Sequence, residues 1–446
     1  MFGVGLINLV KETLVDTGQI IVSRQGARSL YRVSLYRNAV YLIINSAVNS
    51  LTGVVFWIVA ARLYDPGAVG LASAAISASG FVVLFASMGL DFGVIRFLPD
   101  DNEKARDIVN SCITLVGLAA LVLSGIFIAG LAIWSPALLP IQKSPVLLAS
   151  FLSISFVFAI SGLVFQVFVA RRRAGFTLVQ GLVFGLTKFI PLLLLASIYT
   201  GSGIYISWSI ALALSTLIGL FWFMPRVIGG YGFRFRLKRE ALARMFKFSL
   251  ANYVTSILWA LPVVVLPLIV VNVLGTEQNA YYYIGWSVVS VIFIIPYSTS
   301  QALFAEGSHR PENLAQEVKK SLKISLVLIV PALLFLLLLG DKLLWLFGRH
   351  YSENAVKLIW IISPSVFPLT VNYIYLGIKR VQGKMTNAVL LTALLTVLIL
   401  GMSYLLLHAL GIIGAGIAWL SGQSMVALFV IYELLLHKPA RGAGET

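Results

Sequence analysis

The sequence predicts an all-α polytopic membrane protein: twelve transmembrane helices arranged as two parallel six-helix repeats. Three observations predict it. The chain of 446 residues is 59% hydrophobic and 11% charged, against about a quarter charged in soluble domains. Its apolar residues gather into twelve segments, at about 38–62, 68–94, 108–133, 146–170, 176–198, 203–225, 246–272, 280–304, 321–340, 355–378, 385–408 and 412–436. Roughly 20 such residues, at about 1.5 Å rise each, cross a hydrocarbon core of about 30 Å. The connections also alternate in charge. Those on the side of the termini hold 27 Lys and Arg residues and those on the other side five, leaving only Lys188 of the 33. The positive-inside rule places both termini in the cytoplasm and the chain in the cell (cytoplasmic) membrane.

In chain order, residues 1–37 read as a cytoplasmic N-terminal segment. No basic stretch precedes its apolar residues, so no cleavable signal peptide is expected and segment one acts as an uncleaved signal anchor. Phe2, Leu6, Leu9, Val10 and Thr13 share one helical side, which suits either an interfacial amphipathic helix or a partly ordered tail. Segment one carries Asn38, Asn45, Asn49 and Thr52 at spacings of seven, four and three, all on one face. Segment two runs into GLDFGVIRFLP, where Arg96 either pairs at the interface with Asp91 or attracts an anionic headgroup at an entrance. Arg171, Arg172 and Arg173, before segment five, read as topology determinants.

Segment five contains Lys188, about twelve residues from one end and ten from the other. That is roughly 15 Å or more from either interface, too far for the stem to snorkel fully. An ammonium there should face a wet cavity, pair with an acid, or lose its proton. No segment carries an acid at its middle, so Lys188 suits either a phosphate-bearing substrate or a structural site with carbonyl or water partners. Segment six closes the first bundle, 38–225. The basic linker 226–247 reads RVIGGYGFRFRLKREALARMFK and leads to the second bundle, 248–437, and a cytoplasmic tail, 438–446.

Segment seven repeats the polar stripe with Asn252, Thr255, Ser256 and Trp259, Asn252 standing opposite Asn45 at an offset of 207. The two stripes face a common cavity or bond within their own bundles, where such contacts contribute about 0.6–2 kcal/mol. Pro262 and Pro267 there, and Pro364 and Pro368 in segment ten, are expected to bend their helices. Segment eight presents Trp286, Ser290, Phe293, Tyr297 and Gln301 on one face, a mixture able to stack on sugar rings or to pack against neighbours. Further matches between the halves pair ARLYDPGAVG (61–70) with NVLGTEQNAY (272–281) and VARRRAGFTLVQG (169–181) with IKRVQGKMTNAVL (378–390), at offsets of 211 and 208. Six segments per half give both halves the same orientation, hence parallel repeats.

Other classes are disfavoured. Cys112 is the sole cysteine, the four histidines are scattered, and no Gly-rich phosphate loop appears, so no metal site, cofactor or ATP hydrolysis of that kind is expected. The net charge of +16 lies beside membrane segments, which points to anionic lipid and not to nucleic acid.

ARLYDPGAVGLAS, MGLDFGVIRFLP and IKRVQGKMTNAV together resemble the polysaccharide-export (Wzx-like) flippases of the multidrug, oligosaccharidyl-lipid and polysaccharide exporter superfamily. The resemblance covers essentially the whole chain through loose motifs. It implies two six-helix bundles around a central cavity that opens alternately to each side. The implied cargo is a polyprenyl-(di)phosphate-linked oligosaccharide, moved from the cytoplasmic to the outer leaflet for glycan assembly. Membrane lipids, and glycosyltransferases or a polymerase of the same pathway, are the implied partners. From their positions in the segments, and not carried over from the family, Lys188, Asn45, Asn49, Asn252, Trp286, Tyr297, Gln301 and Arg96 are the expected substrate contacts. The competing readings are a multidrug exporter, which would usually need a carboxylate in the membrane, and a membrane enzyme of glycan assembly. An enzyme would be expected to bring a large outer loop or a catalytic cluster, and neither is visible.

Overall fold

The structure is a computed structural model that describes residues 34–98, 101–199, 201–309 and 311–436. The N-terminal amphipathic stripe and the C-terminal tail lie outside them. Among the described residues there is no strand, and twelve helices are long and apolar enough to cross a membrane. They are α1 (Val40–Leu63), α2 (Pro66–Ala86), α3 (Asn102–Ala129), α4 (Pro145–Ala170), α5 (Gly175–Leu195), α6 (Gly203–Val227), α7 (Asn252–Leu274), α8 (Thr276–Ser308), α9 (Leu314–Trp345), α10 (Arg349–Val381), α11 (Met385–Leu410) and α12 (Ile412–Leu434). Each corresponds to one apolar segment of the sequence.

The neighbours follow one rule in both sets of six. In the first, α1 packs on α5, α5 on α6, α6 on α4, and α4 on α2 and α3, with α2 on α3. In the second, α7 packs on α11, α11 on α12, α12 on α10, and α10 on α8 and α9, with α8 on α9. The connecting turns agree in detail. After α4, the amides of Arg171, Arg172 and Arg173 donate to Val167, Val169 and Phe168; after α10, those of Gln382, Gly383 and Lys384 donate to Ile378, Arg380 and Lys379. This aligns Arg171 with Gln382, so the sequence match that set it opposite Lys379 is displaced by three residues. The helix ends at Leu63 and Leu274 carry the same offset of 211.

The two sets meet mainly through α2, which packs on both α7 and α8. Small residues make this possible: a Cβ on Gly70 would lie 1.6 Å from the Thr276 carbonyl oxygen. Asn279 Nδ2 donates to the Gly70 carbonyl (2.8 Å) and to Ser73 Oγ (3.1 Å). Polar residues as glue and small residues as close-approach points are what membrane helices need, because lipid removes the hydrophobic drive for pairing. At this same end Arg62 reaches across to the carbonyls of Leu346 (2.9 Å) and Trp345 (2.6 Å). Asn272 meets the Ala137 amide (3.1 Å) and Ser135 Oγ (3.1 Å).

At the opposite end, which carries the basic connections, the chain leaves α2 through left-handed Met88 and Gly89 (φ 49° and 70°) and forms a short helix, Leu90–Phe97. That helix packs on the helical run Arg239–Leu274, which extends α7 backwards. The linker is therefore helical from Arg239. Its earlier part, Tyr231 to Lys238, has no regular secondary structure and is strapped to α3. Asn110 receives the Tyr231 hydroxyl (2.9 Å) and the Arg234 amide (3.3 Å), and donates to the Gly232 carbonyl (3.1 Å). Thr114 and Ser111 receive the Arg236 and Lys238 amides, and Asp107 pairs with both side chains. The polar face of α3 thus satisfies backbone donors that a bilayer would leave bare.

Pro262 and Pro267 do not break α7, which runs on as one helix. In α10 the helix is interrupted by a 3₁₀ turn, Ser363–Ser365, around Pro364. α5 is interrupted at Lys188.

Candidate functional site

The polar stripe of α7 needs company to form a site, and the fold supplies it from α8 and α10. Asn252, Thr255, Ser256 and Trp259 on α7 face Tyr297, Ser300, Gln301 and Phe304 on α8, and Tyr373, Leu376 and Arg380 on α10. They enclose a cavity of about 480 Å³ near the basic end, with Met385 of α11 and Phe92 of the short helix completing it. Trp259 and Tyr297 each approach the Tyr373 ring, at 4.5 and 5.7 Å between centroids. Ser300 Oγ donates to the Tyr373 carbonyl (2.6 Å), which ties α8 to α10 at the cavity wall. Tyr373, Leu376 and Arg380 follow helical spacing, so one face of α10 brings a ring, an apolar contact and a guanidinium to the same wall. Among the described residues, no acidic one lines this cavity. Aromatic faces, amides, hydroxyls and one guanidinium around such a volume suit sugar rings carrying a phosphate group.

A model of the polysaccharide biosynthesis protein family matches residues 59–357. The chain belongs to that family. A stretch of 155 residues is 25% identical to the "Putative O-antigen transporter" of Shigella flexneri, spanning 34% of this chain and 37% of that protein. Among solved structures, the chain is similar to the lipid II flippase MurJ in an inward closed conformation. The TM-score is 0.73 at 11% identity, over 89% of this chain and 87% of that one. An inward-facing multidrug resistance transporter of the MATE family and MOP superfamily gives 0.67 at 13% identity, over 90% and 99%. At these identities the likeness is one of fold.

In this member of the polysaccharide biosynthesis family, the expected contact residues separate into five places. Asn252, Tyr297 and Gln301 line the large cavity. Asn45 and Asn49 lie in a smaller pocket of about 170 Å³ inside the first six helices, with Thr177, Gln180 and Gly181 of α5. There Asn49 Nδ2 donates to Asn45 Oδ1 and to its carbonyl (both 2.9 Å), and both side chains press on Gly181. The two stripes therefore differ: that of α7 faces a cavity, and that of α1 makes close contact with α5.

Trp286 does not reach the cavity. It packs against Trp419 (4.5 Å), Phe293 and Tyr282 inside the second bundle, where aromatic contact outweighs any gain from facing water. Arg96 is exposed on the short helix, 6.0 Å above the Phe248 ring, as an interfacial anchor would be. Lys188 is a correction to the expectation of a wet site: it is 3% exposed. Its ammonium lies 5.0 Å from the Phe56 and Phe184 rings and 6.0 Å from Phe189, with no carboxylate partner among the described residues. The ring quadrupoles offset part of its desolvation.

Sequence reasoning missed Arg380 and Tyr373. Arg380 sits in the basic run IKRVQGK, where it reads as one more topology charge. The available signal was its spacing of seven from Tyr373, two helical turns along the same face.

Proposed function

We propose that this protein is a flippase that moves a polyprenyl-(di)phosphate-linked oligosaccharide from the cytoplasmic to the outer leaflet by alternating access. The observation that carries the reading is the cavity in which Arg380, with no acidic neighbour in the lining, stands beside the Trp259–Tyr297–Tyr373 rings. A diphosphate and several hydroxyls drawn through hydrocarbon would leave many polar groups unsatisfied, and a polar cavity removes most of that cost. The guanidinium answers the phosphate, the rings answer the sugar faces, and Asn252 and Gln301 answer the hydroxyls. The polyprenyl tail stays in lipid beside the bundle. Family membership and the O-antigen transporter relative support this cargo; the multidrug neighbour fits the alternative, a cationic drug, which would favour a carboxylate in the lining.

In this reading both termini are cytoplasmic, and residues 38–225 and 248–437 are parallel repeats that rock about the α2 contacts. The shared neighbour pattern and the offset of 211 support the repeat. Deleting the gene tests the cargo: a polyprenyl-linked glycan should accumulate on the cytoplasmic face, and mass spectrometry of that lipid should identify its sugars. Unchanged lipid-linked glycans in both leaflets would count against the flippase reading.

A further inference from the structure

A third polar recess lies outside the α7–α8–α10 cavity, between the start of the first helix and the turn joining α4 to α5. Its volume is about 350 Å³, and Arg37, Arg172, Arg173, Asn38 and Tyr41 are among its lining residues; none of the described lining residues is acidic. Three arginines therefore line it. Arg171, the other member of the run, turns away and donates to Asn102 Oδ1 of α3 (3.4 Å).

The turn itself is built around this recess. Asn38 Oδ1 accepts the Ala174 amide (2.8 Å), which fixes the turn to α1. Arg172 takes a left-handed backbone, φ 55°, which side chains other than glycine and asparagine adopt at a cost. The equivalent turn after α10 makes the same backbone bonds and carries Gly383 at this position, φ 68°. The chain thus places arginine where the turn geometry favours glycine. Strain of this sort persists where the side chain serves a purpose, and the purpose visible here is a third charge at the recess.

We propose that this recess binds the anionic phosphate headgroup of a lipid at the basic face of the membrane. Basic pockets between transmembrane helices are suited to such headgroups, and several guanidiniums can share the phosphate oxygens. The headgroup belongs either to a resident anionic phospholipid or to a polyprenyl diphosphate.

The test measures binding to the purified full-length protein by native mass spectrometry and by thermal shift. The probes are cardiolipin, phosphatidylglycerol and undecaprenyl diphosphate, with phosphatidylcholine as the neutral control. Wild type should retain and be stabilised by at least one anionic lipid over phosphatidylcholine. Retention of cardiolipin or phosphatidylglycerol identifies a resident phospholipid, and retention of undecaprenyl diphosphate alone identifies the polyprenyl lipid. Arg172→Gly relieves the backbone strain, so the lipid-free protein should melt no lower than wild type while binding weakens about fivefold, the effect of about one interfacial charge. Arg37→Gln should weaken binding comparably. Equal retention of anionic and neutral lipids, or unchanged binding by both variants, would overturn the proposal. Because binding is read without export, this result is separable from the fate of the flippase reading.

Discussion

Arg380, Lys188 and Lys379 are three cations held in three different surroundings. Lys379 is neutralised by Glu433 (2.8 Å), which also accepts the Tyr375 hydroxyl (2.6 Å). Lys188 is enclosed by rings, and Arg380 lines the cavity. The local sequence did not separate them. Lys188 stood out by its depth, and Phe184 and Phe189 lie beside it in α5, yet the third ring, Phe56, comes from α1, which no nearby spacing reveals. Arg380 was hidden among topology charges. The geometry predicts that Arg380→Ala abolishes glycan export while the protein still reaches the membrane, as judged by export assays and membrane immunoblots together. Lys188→Met, which keeps the stem among the rings and removes a costly buried charge, should retain export and melt no lower than wild type. Loss of export by a stably folded Lys188→Met protein would bring Lys188 back into the mechanism.

At the scale of elements, hydrophobic length made all twelve spans legible, because a bilayer demands long apolar helices whatever their partners. The α7 stripe was legible for the same reason: Asn252, Thr255, Ser256 and Trp259 are costly in lipid and so must face something polar or packed. The strap on α3 was not legible. Asn110, Ser111 and Thr114 read as ordinary residues of an apolar segment until the linker is laid across them. Asn110 is buried and serves three groups, so Asn110→Ala should cost about 1–3 kcal/mol by leaving buried partners unpaired. A lowered melting temperature and faster proteolysis between Tyr231 and Lys238 would register it. At the α2–α8 contact, Gly70→Val would force the Thr276 backbone aside and should cost about 2 kcal/mol or more, read as a lowered melting temperature.

For the whole molecule, the two sets of six meet at the end bearing Arg62, Gly70 and Asn272, and again at the basic end, where Leu90–Phe97 packs on Arg239–Leu274 and the cavity lies. Transport by rocking requires the first contact to open. Gly67 faces Thr276, with 3.5 Å between a built Cβ and the hydroxyl oxygen, so cysteines at both positions should cross-link under oxidant. Export should then stop and resume on reduction; full export by the cross-linked protein would exclude opening at this contact. The central claim concerns what the cavity carries, and it is tested most directly in proteoliposomes. Purified wild-type protein should move a labelled polyprenyl-diphosphate oligosaccharide between leaflets, and the Arg380→Ala protein should not. Absence of movement by wild type, or equal movement by both, would contradict the account.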